Sequence, residues 1–507
     1  MIDPLPNWLD PTPWMEQSQS TDLHAIKNAI YSDNPGEREL ALMLSPTARP
    51  LLETMAQRAQ TITRRHFGRT ISLYTPLYLS NYCNGGCLYC GIAADRRAIR
   101  TVLNIEQLDR ELDAITQAGL DEVVLLTGER MPEADTSYIR EAIERASQRL
   151  NNINIEVFPM QQSEYRILAE AGCTGVTLYQ ETYDPIVYEQ MHRWGDKRDF
   201  ESRLDAPHRA LEGGLRTVGL GVLLGLADPS ADLISLYRHA THLLKTYWQA
   251  GVTLSFPRIK PQMGDFQALH PVDESMLAQA IFALRICLPA VPLLLSTREA
   301  EAVRNGLAGI GISKMSVASK TTVGGYSETA EESTEQFSIS DERSIDDFCR
   351  MLREKGLEPV LVDSEKLAKE FEFIKYPKKY PIYFFKTDTS GEKTYEEFYT
   401  EEENYDTDKH KTLGFIKSLK VELSFKQVFN LPVFHPDVEV WEVSRNKHHV
   451  GLWYFDPYER PGKISGAWMS CYRDQEAIDH PISAQVSNNL NLVKAGSNQS
   501  STLLSWD

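Results

Sequence analysis

Residues 70–91, TISLYTPLYLSNYCNGGCLYCG, join an apolar run to three closely spaced cysteines. The run of residues 70–80 reads as a β-strand bounded by polar, loop-forming positions. Cys83, Cys87 and Cys90 follow at once, in the pattern C-x3-C-x2-C. A sulfur-rich loop therefore comes directly after a strand, which is where α/β barrels carry their chemistry.

Seven further segments resemble this strand, and helix-length amphipathic stretches lie between several of them. The other strand candidates are residues 122–129, 153–160, 175–182, 217–226, 252–259, 292–299 and 312–319, and helix candidates include 136–150, 163–172, 205–214 and 274–288. Strand and helix alternating this often predict a parallel sheet with helices outside it. Eight units over roughly 250 residues match a closed (β/α)8 TIM-like barrel better than an open doubly wound sheet.

The regions that flank the barrel differ from it in composition and in hydrophobic pattern. Beyond about Asp363 the sequence is first dense in Lys, Glu and Tyr, and then reads as short strands joined by Pro/Gly turns. We predict an α/β chain with an N-terminal helical extension and a mosaic α+β C-terminal tail. The predicted segments are a helical extension (1–68), the barrel (69–325), a segment continuing it (326–362) and two tail pieces (363–422 and 423–507).

Composition limits the partners and the compartment. The formal net charge of −18 and a pI near 5.2 disfavour nucleic acid as a partner. The N-terminus lacks the basic start and apolar core of a signal peptide, and no apolar run is long enough to span a bilayer. Four other cysteines are scattered singly, which predicts a reducing, cytoplasmic location; they are Cys173, Cys287, Cys349 and Cys471.

The cysteine triplet favours an iron–sulfur cluster over a zinc ion. Asn84, Gly85 and Gly86 allow the tight backbone that a chelating loop needs. A structural zinc site usually has four protein ligands in two pairs, and no second cysteine or histidine pair follows at a suitable distance. Three thiolates suit a 4Fe–4S cluster that leaves one iron open to a non-protein ligand. A zinc-binding or merely buried triplet is the alternative.

This spacing, with the aromatic Tyr89 before the last cysteine, resembles the cluster motif of the radical S-adenosylmethionine (SAM) superfamily. The resemblance implies that Cys83, Cys87 and Cys90 bind a 4Fe–4S cluster and that SAM chelates the open iron. It also implies that an electron from the cluster cleaves SAM to a 5′-deoxyadenosyl radical. Such chemistry requires a site that excludes water and holds the substrate beside the radical.

Several blocks carry a narrower resemblance over about residues 35–362. They are YTPLYLSNYC, LLTGE, TLYQETY, LGVLLGL, SFPRIKP, LSTREA, SKTTVGGY and EQFSISDER. Together they are similar to the tyrosine lyases of thiazole synthesis, the 2-iminoacetate synthases. The resemblance implies cleavage of the Cα–Cβ bond of L-tyrosine to p-cresol and 2-iminoacetate, which feeds the thiazole of thiamine. It further implies reduced flavodoxin or ferredoxin as electron donor, with thiazole synthase as a candidate partner.

The resemblance assigns cofactor contacts residue by residue. Tyr89 should pack near the adenine of SAM, and Thr127, Gly128 and Glu129 should meet its amino group at the end of a strand. A carboxylate there can accept hydrogen bonds from the ammonium. Glu181 is a candidate for the SAM ribose or the polar rim. Without the resemblance, Glu129 would be read as a neighbour of a helix N-cap and Glu181 as a rim salt bridge.

The remaining candidates concern carboxylates of cofactor and substrate. Arg203 is a weaker candidate for the SAM carboxylate, since a helical arginine is more often a solvated charge. Arg298 is expected to bind the substrate carboxylate, because its planar fork fixes that group bidentately; the alternative is an ion pair with Glu299 or Glu301. Ser316 lies where related aromatic amino-acid lyases place a substrate-binding serine.

Other readings of the same blocks remain open. A hydrogenase-maturation tyrosine lyase would need cysteines for a second cluster, and Cys349 and Cys471 stand alone. A deazaflavin-cofactor synthase and a tryptophan lyase share the overall plan. A chain of another class is also open: a non-catalytic mosaic whose barrel never holds its cluster.

The tail resembles other proteins. Residues 363–422 resemble part of the C-terminal region of nucleotide-sugar 4,6-dehydratases, without a Gly-rich dinucleotide loop. Residues 423–507 resemble a truncated thimet-type zinc oligopeptidase, notably in YFDPYERPGKISGAWMS and TLLSWD. No H-E-x-x-H sequence occurs in the 507 residues, so the zinc ligands and the general base of such a peptidase are missing. We therefore expect no peptidase activity.

Overall fold

The computed structural model describes residues 5–327 and 333–361, together with two strands at 441–445 and 448–453. The chain divides into two compact units, Met1–Asp363 and Ser364–Asp507. The two strands, β10 (Trp441–Arg445) and β11 (His448–Trp453), pair antiparallel within the second unit. They fall in the region for which the sequence predicts short strands; the rest of the tail lies outside the described residues.

Eight parallel strands close into a barrel, as predicted. The strands are β1 (Thr70–Tyr78), β2 (Glu122–Leu126), β3 (Asn152–Glu156), β4 (Gly175–Glu181), β5 (Thr217–Val222), β6 (Gly251–Ser255), β7 (Leu293–Leu295) and β8 (Lys314–Ser316). They follow one another around the barrel in chain order, and β1 pairs in parallel with both β2 and β8. The closed (β/α)8 fold is confirmed.

Helices surround the strands, and polar caps mark where many of them begin. For example, Asp135 accepts a hydrogen bond from the Tyr138 amide at 3.0 Å, and Asp273 accepts one from the Met276 amide at 2.7 Å. The helices are α1 (Leu23–Ile30), α2 (Glu37–Leu44), α3 (Leu52–Phe67), α4 (Ile105–Gln117), α5 (Thr136–Ser147), α6 (Gln162–Glu170), α7 (Pro185–Met191), α8 (Phe200–Glu212), α9 (Pro229–Thr246), α10 (Glu274–Cys287), α11 (Glu301–Leu307) and α12 (Ile345–Glu354).

Segments before and after the barrel belong to the same unit. Helices α2 and α3 pack on α10, where Gln279 donates hydrogen bonds to the carbonyls of Met43 and Ser45. After α12, a short strand β9 (Glu358–Val360) pairs in parallel with β1 at Thr70–Ser72. Segments from both ends of the unit thus pack against the barrel: α2 and α3 contact α10, and β9 pairs with the amino-terminal end of β1.

The alternation along β1 separates a dry core from a polar lumen. Ile71, Leu73 and Leu77 are at most 1% exposed and belong to the main hydrophobic core, whereas Tyr74 and Tyr78 line the lumen. The strands therefore bury their outer faces and keep their inner faces available for a site.

In the described part of the chain, no helix is both long and apolar enough to cross a membrane.

Candidate active site

One cavity inside the barrel collects every residue predicted to form the site. The cavity has a volume of about 250 Å³. The predicted residues that line it are Cys83, Cys87, Tyr89, Cys90, Thr127, Gly128, Glu129, Glu181, Arg203, Arg298 and Ser316.

The three cysteines of the loop line the cavity, and glycines lie close to them. A Cβ atom added at Gly85 would lie 3.5 Å from Cys83 Sγ and 3.6 Å from Cys87 Sγ. A Cβ atom at Gly128 would come within 2.7 Å of the Cys83 Cβ, so this glycine lets the end of β2 approach the loop. Three thiols that line one cavity suit a 4Fe–4S cluster.

A second segment braces the cysteine loop from outside. The Gly86 amide donates to the Trp194 carbonyl at 2.9 Å, and the Arg193 Nε donates to the Gly86 carbonyl at 3.0 Å. A Cβ atom at Gly86 would lie only 2.4 Å from the Trp194 indole. The loop therefore keeps its shape through a contact with a segment more than a hundred residues away in sequence.

Burial favours the protonated thiols of Cys83 and Cys87. It raises the pKa of the Cys83 thiol to about 11, and it also raises the pKa of Cys87. The amides of Gly85 and Glu129 each donate to Cys83 Sγ at 3.4 Å. Binding of iron must displace the thiol protons, so cluster loading releases protons. A 4Fe–4S cluster with SAM, as the sequence resemblance implies, would supply a carbon-centred radical here.

Glu129 lies beside the cysteines and presents one oxygen without a partner. Its Oε1 accepts from Arg203 Nη1 at 3.0 Å, and both side chains are 7% exposed. Its Oε2 is buried and has no hydrogen-bond partner within the described residues. Leaving such an oxygen unsatisfied costs free energy, and an ammonium group would satisfy it. The site therefore fits the amino group of SAM, the contact that the sequence resemblance implies.

Arg203 belongs to the cavity wall and is not a solvated helix charge. It lies on α8, and its Nε donates to the Tyr179 carbonyl at 2.7 Å. Burial would lower its pKa, but the Glu129 carboxylate and other neighbours raise the pKa above its usual value. Arg203 thus holds Glu129 in place; its role toward the SAM carboxylate stays a prediction. Thr127 and Gly128 connect β2 to Glu129, and their contacts with SAM also stay predictions.

Glu181 ends β4 in a strained backbone conformation. Its φ of 71° is rare for a residue other than glycine, and the pairing of β4 with β5 shifts register there. The bulge directs its Oε1 to Lys197 Nζ at 2.6 Å, and the two side chains are 10% and 12% exposed. Although burial alone would lower the pKa of Lys197, the acidic groups led by Glu181 raise it, so Lys197 stays an ammonium. The contact with the SAM ribose stays a prediction.

Tyr89 is held by a histidine that sequence reasoning left without a role. His192 Nδ1 lies 2.8 Å from the Tyr188 carbonyl and must donate to it, which makes Nε2 an acceptor. The Tyr89 hydroxyl therefore donates to His192 Nε2 at 2.7 Å. Burial lowers the pKa of His192 well below its usual value, so the ring is neutral and this tautomer persists. The aromatic face of Tyr89 is fixed beside the cysteines, as packing against an adenine would require.

Arg298 follows β7 and has no acidic partner in the described part of the chain. Its guanidinium lies over the Phe337 ring, with Cζ 3.4 Å from the centroid. Glu299 binds Arg258 at 3.0 Å, and Glu301 approaches a different arginine at 3.6 Å. The alternative of an ion pair with Glu299 or Glu301 is therefore wrong. The guanidinium lines the cavity, and its N–H groups have no acidic partner among the described residues.

Ser316 ends β8 and is 2% exposed. Its Oγ accepts from the Thr297 amide at 3.1 Å, which ties the end of β8 to the segment that carries Arg298. Its hydroxyl also forms a hydrogen bond with the hydroxyl of Tyr74, which lines the same cavity. Its contact with substrate stays a prediction.

Reasoning from the sequence missed three residues that line the cavity, and a histidine that contacts one of its tyrosines. Gln336 donates to Cys90 Sγ at 3.7 Å and accepts from the Tyr78 hydroxyl at 2.5 Å. Lys197 and His192 lie in a loop with no motif to mark them. Glu156 had a signal, because a carboxylate in the otherwise apolar end of a strand needs an explanation.

Comparison with known sequences identifies two unrelated parts. The Radical SAM superfamily matches residues 77–238, and the Biotin and Thiamin Synthesis associated domain matches residues 255–358. Peptidase family M3 matches residues 326–507. Dipeptidyl carboxypeptidase of Escherichia coli is 35% identical over 88 residues, which span 12% of that enzyme. The mosaic tail is therefore confirmed, while the dehydratase resemblance of residues 363–422 stays a prediction.

Solved structures of a hydrogenase maturase share the fold. A crystal structure of HydG, a maturase of the [FeFe]-hydrogenase, superposes with a TM-score of 0.67 at 28% identity, covering 74% of this chain and 86% of HydG. HydG of Carboxydothermus hydrogenoformans gives a TM-score of 0.63 at 30% identity, covering 71% of this chain and 82% of that one.

Curated relatives define the family. The 2-iminoacetate synthase of Salmonella typhimurium is 38% identical over 339 residues, which cover 67% of this chain and 90% of that enzyme. The enzyme of the same name from Escherichia coli is 37% identical over the same lengths. Together with the cysteine loop in a closed barrel, these matches show that the chain is a radical SAM enzyme and belongs to the 2-iminoacetate synthase family.

Proposed function

We propose that this protein cleaves the Cα–Cβ bond of L-tyrosine to p-cresol and 2-iminoacetate for the thiazole of thiamine. The name of the 2-iminoacetate synthases to which the chain is similar supports the product. The observation that carries the proposal is Arg298, a guanidinium without an acidic partner among the described residues, in the cavity that holds the three cysteines. An amino-acid substrate brings the carboxylate that this fork binds.

The other residues would orient the reactants and keep water out. Glu129 receives the SAM ammonium, Tyr89 carries the adenine, and Arg298 with Ser316 holds the substrate carboxylate. Held in this way, the substrate amine would be within reach of the radical chemistry that the bound cofactor would supply. Because an imine hydrolyses readily, the enclosed barrel protects 2-iminoacetate until an acceptor enzyme takes it.

The partners follow from the same chemistry. The cluster needs a one-electron donor, for which we propose reduced flavodoxin or ferredoxin, and thiazole synthase is the proposed acceptor. We also propose a cytoplasmic location, which the free, buried thiols of Cys173, Cys287 and Cys349 support.

One observation disfavours the hydrogenase-maturation type of lyase. Cys349 lies on α12 and is 2% exposed within the main hydrophobic core. It packs among apolar side chains of the core and is not one of the residues that line the cavity, so it is a poor ligand for a further cluster. Cys471 lies outside the described residues.

Anaerobic reconstitution with iron and sulfide tests the proposal. We expect a brown protein that cleaves SAM on reduction and forms p-cresol from tyrosine, measured by chromatography, while Cys87→Ala does neither. A fully loaded protein that cleaves SAM without forming p-cresol would exclude tyrosine lyase activity. A colourless, aggregating protein would favour the non-catalytic mosaic, and stoichiometric zinc without iron would favour a zinc site.

The role of the tail can be measured separately. We propose that residues 364–507 do not contribute to the site, because all the cavity residues named above lie within Met1–Asp363. A chain ending at residue 362 should then bind as much iron per protein as the full chain. A large loss of iron in the shorter chain would contradict this.

A further inference from the structure

Four glutamates line the cavity, and three of them have a cationic partner. The pairs are Glu122 with Lys314, Glu129 with Arg203, and Glu181 with Lys197. Glu156, at the end of β3, is the fourth. Its carboxylate has no hydrogen bond or ion pair with any residue that the structure describes.

The cations of the cavity show the complementary pattern. Lys314, Arg203 and Lys197 are occupied by those three glutamates, and Lys260 lies 3.9 Å from Glu299. Arg298 alone among the described lysines and arginines of the cavity wall lacks an acidic partner. The cavity thus contains one unpaired anion and one unpaired cation. A zwitterion is the ligand that satisfies both.

We propose that Glu156 binds the ammonium group of the amino-acid substrate while Arg298 binds its carboxylate. This inference rests on the proposed function and names how that site selects an α-amino acid. The carboxylate of Glu156 is half-buried and without a partner among the described residues, which is costly, and a charged donor from the ligand removes that cost.

The position of Glu156 suits the reaction. Its carbonyl accepts a hydrogen bond from the Thr127 amide at 3.3 Å, so β3 ends against the segment that carries Glu129. An ammonium held by Glu156 therefore lies on the side of the cavity where SAM is expected. That is the side from which the amine must lose its hydrogen atom.

The charges around Glu156 make binding depend on pH. Burial and Glu181 raise the pKa of Glu156 to about 7, against the opposing effects of Arg298, Lys197 and Arg203. The other titratable groups that interact with it are the hydroxyls of Tyr74, Tyr78 and Tyr179. Only the ionised carboxylate attracts an ammonium. The affinity for tyrosine should therefore rise as the pH increases from 6 to 8.

Binding measurements on the cluster-loaded full chain test this inference. SAM is present and reductant is absent, so no turnover occurs. The two probes are tyrosine and 3-(4-hydroxyphenyl)propanoate, which lacks the amine. We expect Glu156→Gln to weaken tyrosine binding about 10- to 100-fold, to leave the amine-free probe unaffected and to flatten the pH dependence. Glu156→Asp should keep part of the preference for tyrosine.

A matched variant and the iron content serve as controls. Glu122→Gln changes another cavity carboxylate, one already bound by Lys314, and should leave the tyrosine-to-probe affinity ratio unchanged. Equal losses for both probes in Glu156→Gln, unchanged tyrosine affinity, or a loss of SAM affinity instead would overturn the inference. If the wild type makes p-cresol, such results contradict this inference but not the proposed function. If the cluster-loaded wild type makes no p-cresol, the proposed function itself is contradicted.

Discussion

Replacing Glu129 by Gln should weaken SAM binding while leaving the cluster in place. Glu129 Oε1 is bound by Arg203 at 3.0 Å, and an amide oxygen can take over that contact. The Oε2 position is buried and has no partner in the described structure, so it is the oxygen available to SAM. In the variant, an NH2 group stands there and offers donors where the cofactor also offers donors.

The size of the effect follows from losing one charged hydrogen bond. Such a bond contributes about 1.5–3 kcal/mol, which corresponds to a rise of roughly 10- to 150-fold in the Kd of SAM. The substitution changes neither side-chain length nor the cysteines. Iron content and cluster absorbance should therefore match the wild type.

Equilibrium dialysis of the anaerobic, cluster-loaded protein with labelled SAM measures the change. Glu164→Gln is the control, because Glu164 binds Arg130 at 2.9 Å outside the cavity. It should leave the Kd unchanged. A Glu129→Gln protein with full iron content and wild-type SAM affinity would refute the reasoning that the unpartnered oxygen receives the cofactor.

Three further substitutions test the substrate site, the cysteine loop and the fold. Arg298→Lys removes the planar fork and should raise the KM for tyrosine about 10-fold or more, measured by p-cresol formation, with SAM affinity unchanged. Gly86→Ala directs a Cβ into the Trp194 indole at 2.4 Å and should lower the iron content; adding Trp194→Ala should restore much of it. Asp341→Asn breaks the buried ion pair with Arg304 and should cost about 3–5 kcal/mol, seen as a fall of several degrees in apparent Tm.

Each of these predictions has an outcome that contradicts it. An unchanged KM for tyrosine in Arg298→Lys would contradict the role of Arg298. No recovery of iron in the double variant would contradict the role of the Gly86–Trp194 contact.

The stability of the Asp341 ion pair should depend on pH. Burial would raise the pKa of Asp341, but Arg343 and Arg304 hold it below its usual value. This stabilisation is therefore present above the pKa of an unfolded aspartate and is lost as the pH falls through the folded value. Asp347→Asn, in an exposed pair with Arg350, should leave the Tm unchanged.

The barrel and the cysteine loop could be predicted because their signals are local. Each strand needs only a few consecutive residues, and three cysteines within eight positions can reach one cluster whatever the rest of the chain does. The carboxyl ends of parallel strands meet at one end of a barrel. For that reason residues as distant in sequence as Glu129 and Arg298 could be expected in one cavity.

The partners within the cavity were decided by tertiary structure alone. Arg203 meets Glu129 across 74 positions, and Tyr89 meets His192 across 103. A sequence shows which side chains carry charge but not which charges neutralise each other. That depends on the distances between strand ends and on burial, since a buried charge needs a partner within a few ångströms. Glu156 and Arg298 could therefore be recognised as the unpaired groups only after every other pair in the folded cavity was known.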